Sequence, residues 1–126
     1  MDAYATYRTQ AAATASPAQL VLMLYDGALG QVDRARRALD DGHLDQAHDA
    51  LTRSQGIVNH LATTLDHDRG GEIATNLAEL YDFCSRTLLE ANLAKRADGL
   101  GDVASVIRGL RDAWEQACVQ ADPVAV

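Results

Sequence analysis

Proline is nearly absent from this chain: there are two, Pro17 and Pro123, both near the ends. Nothing in the middle therefore interrupts a long helix. Cysteine is as scarce. Cys84 and Cys118 lie far apart with no C-x-x-C, which signals neither a zinc site nor a disulfide framework. Both fall on apolar stripes and read as small reduced core residues. Positive charge is in deficit, with a net charge of −7. That argues against nucleic-acid binding, which needs a basic face. No apolar run approaches the roughly 20 residues of a membrane span, and Met1-Asp2-Ala3-Tyr4 lacks the basic start and apolar middle of a signal peptide. The expectation is a cytoplasmic protein with no membrane insertion. β-Branched residues are sparse and scattered.

Alanine and leucine are what the chain has instead. Hydrophobic residues make up 48 % of 126 positions, enough for one domain with a core. The composition is that of an all-α protein.

The most informative stretch is Ala15 to Leu29, A-S-P-A-Q-L-V-L-M-L-Y-D-G-A-L. Ser16 is set to cap a helix, Pro17 suits its first position, and Gln19 can complete a capping box. An apolar stripe follows at Val21, Leu24, Ala28, Val32, Ala35 and Leu39. Leu22, Met23 and Leu29 fall outside it. These surplus side chains need cover from elsewhere in the chain or from a partner.

The spacing predicts four helices. The first runs from about Pro17 to Asp40 and the second from about His43 to Asp66, with a seam of Leu51, Ser54, Val58, Leu61 and Leu65. Asp68-Arg69-Gly70-Gly71 reads as a loop. The third helix runs from about Gly71 to Ala94, with Ile73, Leu77, Tyr81, Cys84, Leu88 and Ala91 inward. Lys95 and Arg96 close it. Asp98 is the expected cap of the fourth, which carries Val103, Val106, Ile107, Leu110, Trp114 and Ala117 and stops at Asp122-Pro123. Four helices of similar length on short connections predict an antiparallel up-down four-helix bundle over residues 16–122. Residues 1–15 form a separate N-terminal arm or short helix, whose Tyr4 and Tyr7, one turn apart, are suited to docking. The Arg34, Arg36, Arg37 cluster reads as a solvated helix end, with Asp33 pairing with Arg37. Gly27, Gly30, Gly56 and Gly109 lie inside helices, each at a cost of about 1 kcal/mol against Ala. Two accounts stand for them: close helix–helix approach, or a groove where a partner's backbone comes near.

Chemistry finds no foothold. Di-iron bundles need Glu-x-x-His on two helices. Three residues after Glu72, Glu79, Glu90 and Glu115 stand Thr75, Asp82, Leu93 and Cys118. His43 and His48 fall on different faces. His60 and His67 share one, without further ligands. Gly70-Gly71 lacks the strand before and the Lys-Ser/Thr after that a phosphate loop requires. No nucleophile has a base. Neither a metal, a cofactor nor catalysis is expected.

The motifs, in order, resemble the FliS family of flagellin-specific export chaperones. The resemblance rests on Tyr4-x-x-Tyr7 and on Ala15-Ser16-Pro17-x-x-Leu20 running on to Met23-Leu24-Tyr25-Asp26-Gly27-Ala28. It continues through Gln55-x-Ile57-Val58-x-x-Leu61-x-x-x-Leu65-Asp66 and Gly70-Gly71-Glu72-Ile73-Ala74-x-Asn76-Leu77-x-x-Leu80-Tyr81-Asp82-Phe83. Ala91-Asn92 and Leu110-Arg111-Asp112-Ala113-Trp114 complete it. Gly30 and Cys84 depart from the family pattern, where larger side chains are expected. The resemblance implies a cytoplasmic, non-enzymatic chaperone that binds the disordered C-terminal segment of flagellin. It would prevent premature polymerisation and deliver the subunit to the flagellar type III export apparatus, with the gate protein FlhA as receptor. It implies a client laid as helices in apolar grooves, and an arm that covers part of that surface and moves aside. The surplus on the first helix fits the same helix-in-groove mode.

Together these place partner binding at Tyr4, Tyr7, Ser16, Pro17, Leu20, Leu22, Met23, Leu24, Tyr25, Gly27 and Leu29, and at Asn76, Leu80 and Tyr81. The competing expectation is a non-enzymatic adaptor that uses the same apolar helix to dimerise. Homodimerisation of the free protein is open on either reading.

Overall fold

The computed structural model describes residues 15–121, without the side chains at 120 and 121. The arm tyrosines Tyr4 and Tyr7, and the Asp122-Pro123 stop, lie outside the described residues. Four helices make up the rest: α1 (Pro17–Asp40), α2 (Leu44–Thr63), α3 (His67–Ala94) and α4 (Leu100–Ala121).

α1 begins as its sequence dictates. Ser16 Oγ accepts from the Gln19 backbone N–H at 3.2 Å, and Gln19 Oε1 accepts from the Ser16 N–H at 2.9 Å. The capping box is complete, with Pro17 in the first turn. α2 ends earlier than expected. The Thr63 and Thr64 hydroxyls donate back to the carbonyls of His60 and Leu61, satisfying terminal groups locally so that the chain can leave the helix.

α3 starts earlier than expected. Asp66 Oδ1 caps Arg69 N–H at 3.0 Å, and one helical turn forms over the stretch expected to be a loop. The chain then swings at Gly71, whose φ of 51° and ψ of −122° are not helical. A side chain rarely tolerates that backbone. At the far end Lys95 itself adopts the left-handed cap conformation. Asp98 does not cap α4. Its carboxylate pairs with Arg96 at 2.9 Å, and the turn into α4 runs through Gly99 at φ +84°.

The helices are arranged in a ring. α1 packs on α2 and α4, and α3 packs on the same two, most lightly on α4. Cross-helix bonds show that neighbours are antiparallel. Ser54 Oγ donates to the Ala28 carbonyl while Arg34 pairs with Asp49. On the next seam Gln55 reaches Ser85 and His48 reaches Asn92. On the last, Arg111 binds Asp26 and the Trp114 indole N–H donates to the Ala18 carbonyl at 2.9 Å.

Small residues line the interior: Ala28, Ala35, Ala47, Ala50, Ala91 and Ala104 are all buried. They let the backbones approach, while Leu51, Leu88, Leu100, Ile107, Val32, Val58 and Val103 fill the centre. The α2 seam lies as expected, except that Leu65 is only half-buried. On α1 the buried face is rotated toward Tyr25. Val21, Leu24 and Leu39 sit at its margin, half-buried.

Candidate functional site

Two residues expected to meet a partner belong to the core. Tyr25 is 3 % and Tyr81 4 % exposed, and their hydroxyls bond to each other. Burial raises both phenol pKa values above the ordinary range. These rings hold α1 to α3 across the bundle, and their faces are not offered outside.

The surplus on α1 does not form one strip. Helical spacing divides it between two seams. Leu22 and Leu29, seven apart, lie on the flank that Asp26 and Asp33 turn toward α4. Met23 and Leu20 lie toward the flank of Arg34, which pairs with α2. Leu22, Met23, Leu24 and Leu29 are half-buried, with Leu24 and Leu29 packed against the core. Leu20 is exposed. Gly27 is half-buried, and Ser16 and Pro17 are exposed in the capping turn.

Five of the eight exposed large apolar residues among the described ones, Ile73, Leu80, Phe83, Leu89 and Leu93, are on α3. Ile73 is 70 % exposed, and Leu80 and Phe83 are each 37 % exposed. Spacings of seven and three put them on one flank with exposed Asn76. Thr87 belongs to that flank, and its Cγ2 is 2.7 Å from where a Cβ on Gly99 would stand, so the flank looks toward α4. The opposite flank of α3 carries Ser85 and Asn92, which bond to α2. Across the lightly packed seam, α4 presents half-buried Val106 and Leu110. The result is an apolar trough between α3 and the middle of α4. Full burial of a side chain such as Leu or Phe stabilises by roughly 1.5–3 kcal/mol, a gain still mostly open at Ile73 and open only in its smaller part at Leu80 and Phe83.

Of the residues expected at the site, the trough brings together Asn76 and Leu80. Ile73 and Phe83 were missed. The inward stripe drawn on the sequence includes Ile73, but after the kink at Gly71 it is Ala74 that turns inward, and Ile73 stands outside. The signal for Phe83 was available: it follows Leu80 by three and falls outside the buried set Tyr81, Cys84, Leu88. A second apolar group lies near the other end, where Leu89 and Leu93 share an outer face of α3 and Leu44 opens α2.

Among the described residues no three His, Cys, Asp or Glu side chains converge to hold a metal. Burial pushes the Cys84 thiol up to about 11, which holds it protonated and unreactive. Arg111 holds Asp26, Asp112 and Glu115 at 2.8, 3.3 and 3.2 Å, and these carboxylates raise its pKa further. No described helix is long and apolar enough to cross a membrane.

Comparison with known proteins identifies relatives of the whole chain. The family model described as "Flagellar protein FliS" matches residues 1–121. The flagellar secretion chaperone FliS of Salmonella typhimurium is 42 % identical over 118 residues, covering 92 % of this chain and 87 % of that protein. The Bacillus subtilis flagellar secretion chaperone FliS is 32 % identical over 114 residues, covering 90 % and 84 %. In fold, the chain resembles the crystal structure of a flagellar chaperone from bacteria with a TM-score of 0.77. That match covers 91 % of this chain and 97 % of the other at 16 % identity.

Proposed function

We infer the function from one premise: this chain belongs to the FliS family of flagellar secretion chaperones, a family of chaperones and not of enzymes. On that footing it is a cytoplasmic export chaperone whose client is the disordered C-terminal region of flagellin. It keeps that region from polymerising early and delivers it to the type III export apparatus, where FlhA receives the complex.

The observation that carries this reading is the trough of Ile73, Leu80 and Phe83 beside Val106 and Leu110. An amphipathic helix with apolar residues at i, i+3 or i+4, and i+7 would lay them there. Ordering a disordered client costs about 2–5 kcal/mol or more of the gross interaction. A long contact is therefore needed, and the exposed group at Leu44, Leu89 and Leu93, on the α2 side of α3, offers further apolar surface. The arm, with Tyr4 and Tyr7, is assigned to cover apolar surface until the client arrives.

Titration of the full chain with a flagellin C-terminal segment tests this. A one-to-one complex in which the segment gains helix by circular dichroism is expected. Absence of binding at tens of micromolar, alongside a tight homodimer in sedimentation, would favour a non-enzymatic dimerisation module instead.

A further inference from the structure

The three arginines near the end of α1 do not share one role. Arg34 pairs with Asp49 on α2, and Arg37 pairs with Asp33 at 3.7 Å. Arg36 turns toward α4, its Nη2 3.9 Å from where a Cβ on Gly101 would stand. Arg108 on α4 borders the same space. Every other described arginine has a carboxylate within salt-bridge distance. Arg36 and Arg108 have none among the described residues. In a chain of net charge −7, the two arginines left over converge on one cleft.

That cleft lies between α1 and α4, on the flank of α4 away from the trough. Its volume is about 300 Å³ and its floor is apolar: Leu29, Val32 and Ala104. Gly30 also borders it, with open space where a Cβ would stand. Asp33 also borders it, but Arg37 already engages that carboxylate.

We propose that this cleft is a second docking site, for an acidic protein segment that places a carboxylate between Arg36 and Arg108 and an adjoining apolar side chain on Leu29, Val32 and Ala104. Guanidinium groups present planar forks that match a carboxylate. The volume is at the small end of ligand sites, suited to one or two side chains of a chain passing over the surface. Phosphate polymers and anionic membranes are disfavoured, because the net charge repels a polyanion while two local arginines still attract a single carboxylate. Flagellin binding in the trough does not require this site.

A phage-displayed library of random peptides, selected on the full chain, tests the proposal. Selected peptides are synthesised and titrated into ¹⁵N-labelled protein. Binders pairing Asp or Glu with a neighbouring Leu, Ile or Phe are expected, shifting amides of residues 29–36 and 101–108. Their affinity falls about tenfold in Arg36→Gln/Arg108→Gln, a change of roughly 1.4 kcal/mol, and also falls with added salt. Both side chains are exposed, so the double variant keeps its circular dichroism spectrum. Phe83→Asp leaves this binding unchanged, which separates it from the trough. Selection without acidic enrichment, or equal affinity for the double variant, overturns the proposal. So does inorganic phosphate alone shifting the same amides as strongly, which would make this a small-anion site. Cleft amides that move when residues 1–12 are deleted would make the arm the occupant, and that also overturns it.

Discussion

The hydroxyls of Tyr25 on α1 and Tyr81 on α3 meet at 2.5 Å inside the bundle. These helices are diagonal in the ring, so the bond fixes a distance that no neighbouring seam sets. Either single change to Phe leaves one buried hydroxyl unpartnered. Each is expected to cost about 1–2 kcal/mol, with the Tyr25→Phe/Tyr81→Phe pair costing less than the sum. Urea melts of the four proteins complete the cycle. Strict additivity would show that the bond contributes nothing as a pair.

Alkaline pH acts on the same core. Folding raises the Cys84 pKa from 9.0 to about 11 by burial. The stabilising share from the protonated thiol is present below pH 9 and is lost as pH rises toward 11. The raised tyrosines add a further loss above their ordinary value of 10.0. Unfolding free energy measured at pH 8 and pH 11 should fall more for the wild type than for Cys84→Ala. In native protein Ellman's reagent should label half-buried Cys118 well before buried Cys84, and urea should equalise them. Equal native rates would contradict the burial of Cys84.

Trough and core are separable by charge insertion. Phe83→Asp and Leu80→Asp replace partly exposed side chains, so the melting temperature should shift little while flagellin affinity drops tenfold or more, about 1.4 kcal/mol or above. Leu24→Asp places a carboxylate against the packed core and should weaken folding and binding together. Calorimetry beside a binding titration reads both. A collapsed melt for Phe83→Asp would make that residue core.

The helix glycines give a test of opposite signs. Gly30, Gly56 and Gly109 have nothing within 4 Å of an added Cβ, so close helix approach does not explain them. Alanine at each should stabilise by about 0.5–1 kcal/mol. Gly99→Ala should destabilise by more than that, since φ is +84° and its Cβ would stand 2.7 Å from Thr87 Cγ2. Thermal melts of the four variants decide it.

The fourfold helical pattern was legible because it rests on local chemistry. Ser16, Pro17 and Gln19 announce α1 through groups within three residues of each other, and the α2 seam repeats at helical spacing. Tyr25 was misplaced because its burial depends on Tyr81, 56 residues away. A stripe drawn on one helix cannot show where a polar tip finds its partner. Arg36 was equally opaque: as one of three clustered arginines it reads as solvated, and only the approach of α4 sets it apart.

Helix content, the family motifs and the antiparallel order of short-linked helices follow from residue order alone, because capping, periodicity and loop length are near-neighbour effects. Which apolar side chains remain outside does not. That depends on the rotation of each helix and on how lightly α3 meets α4, both set by packing among all four helices at once. The exposed apolar face therefore lies on α3, whereas α1, which carries the densest apolar run, divides its excess between two seams.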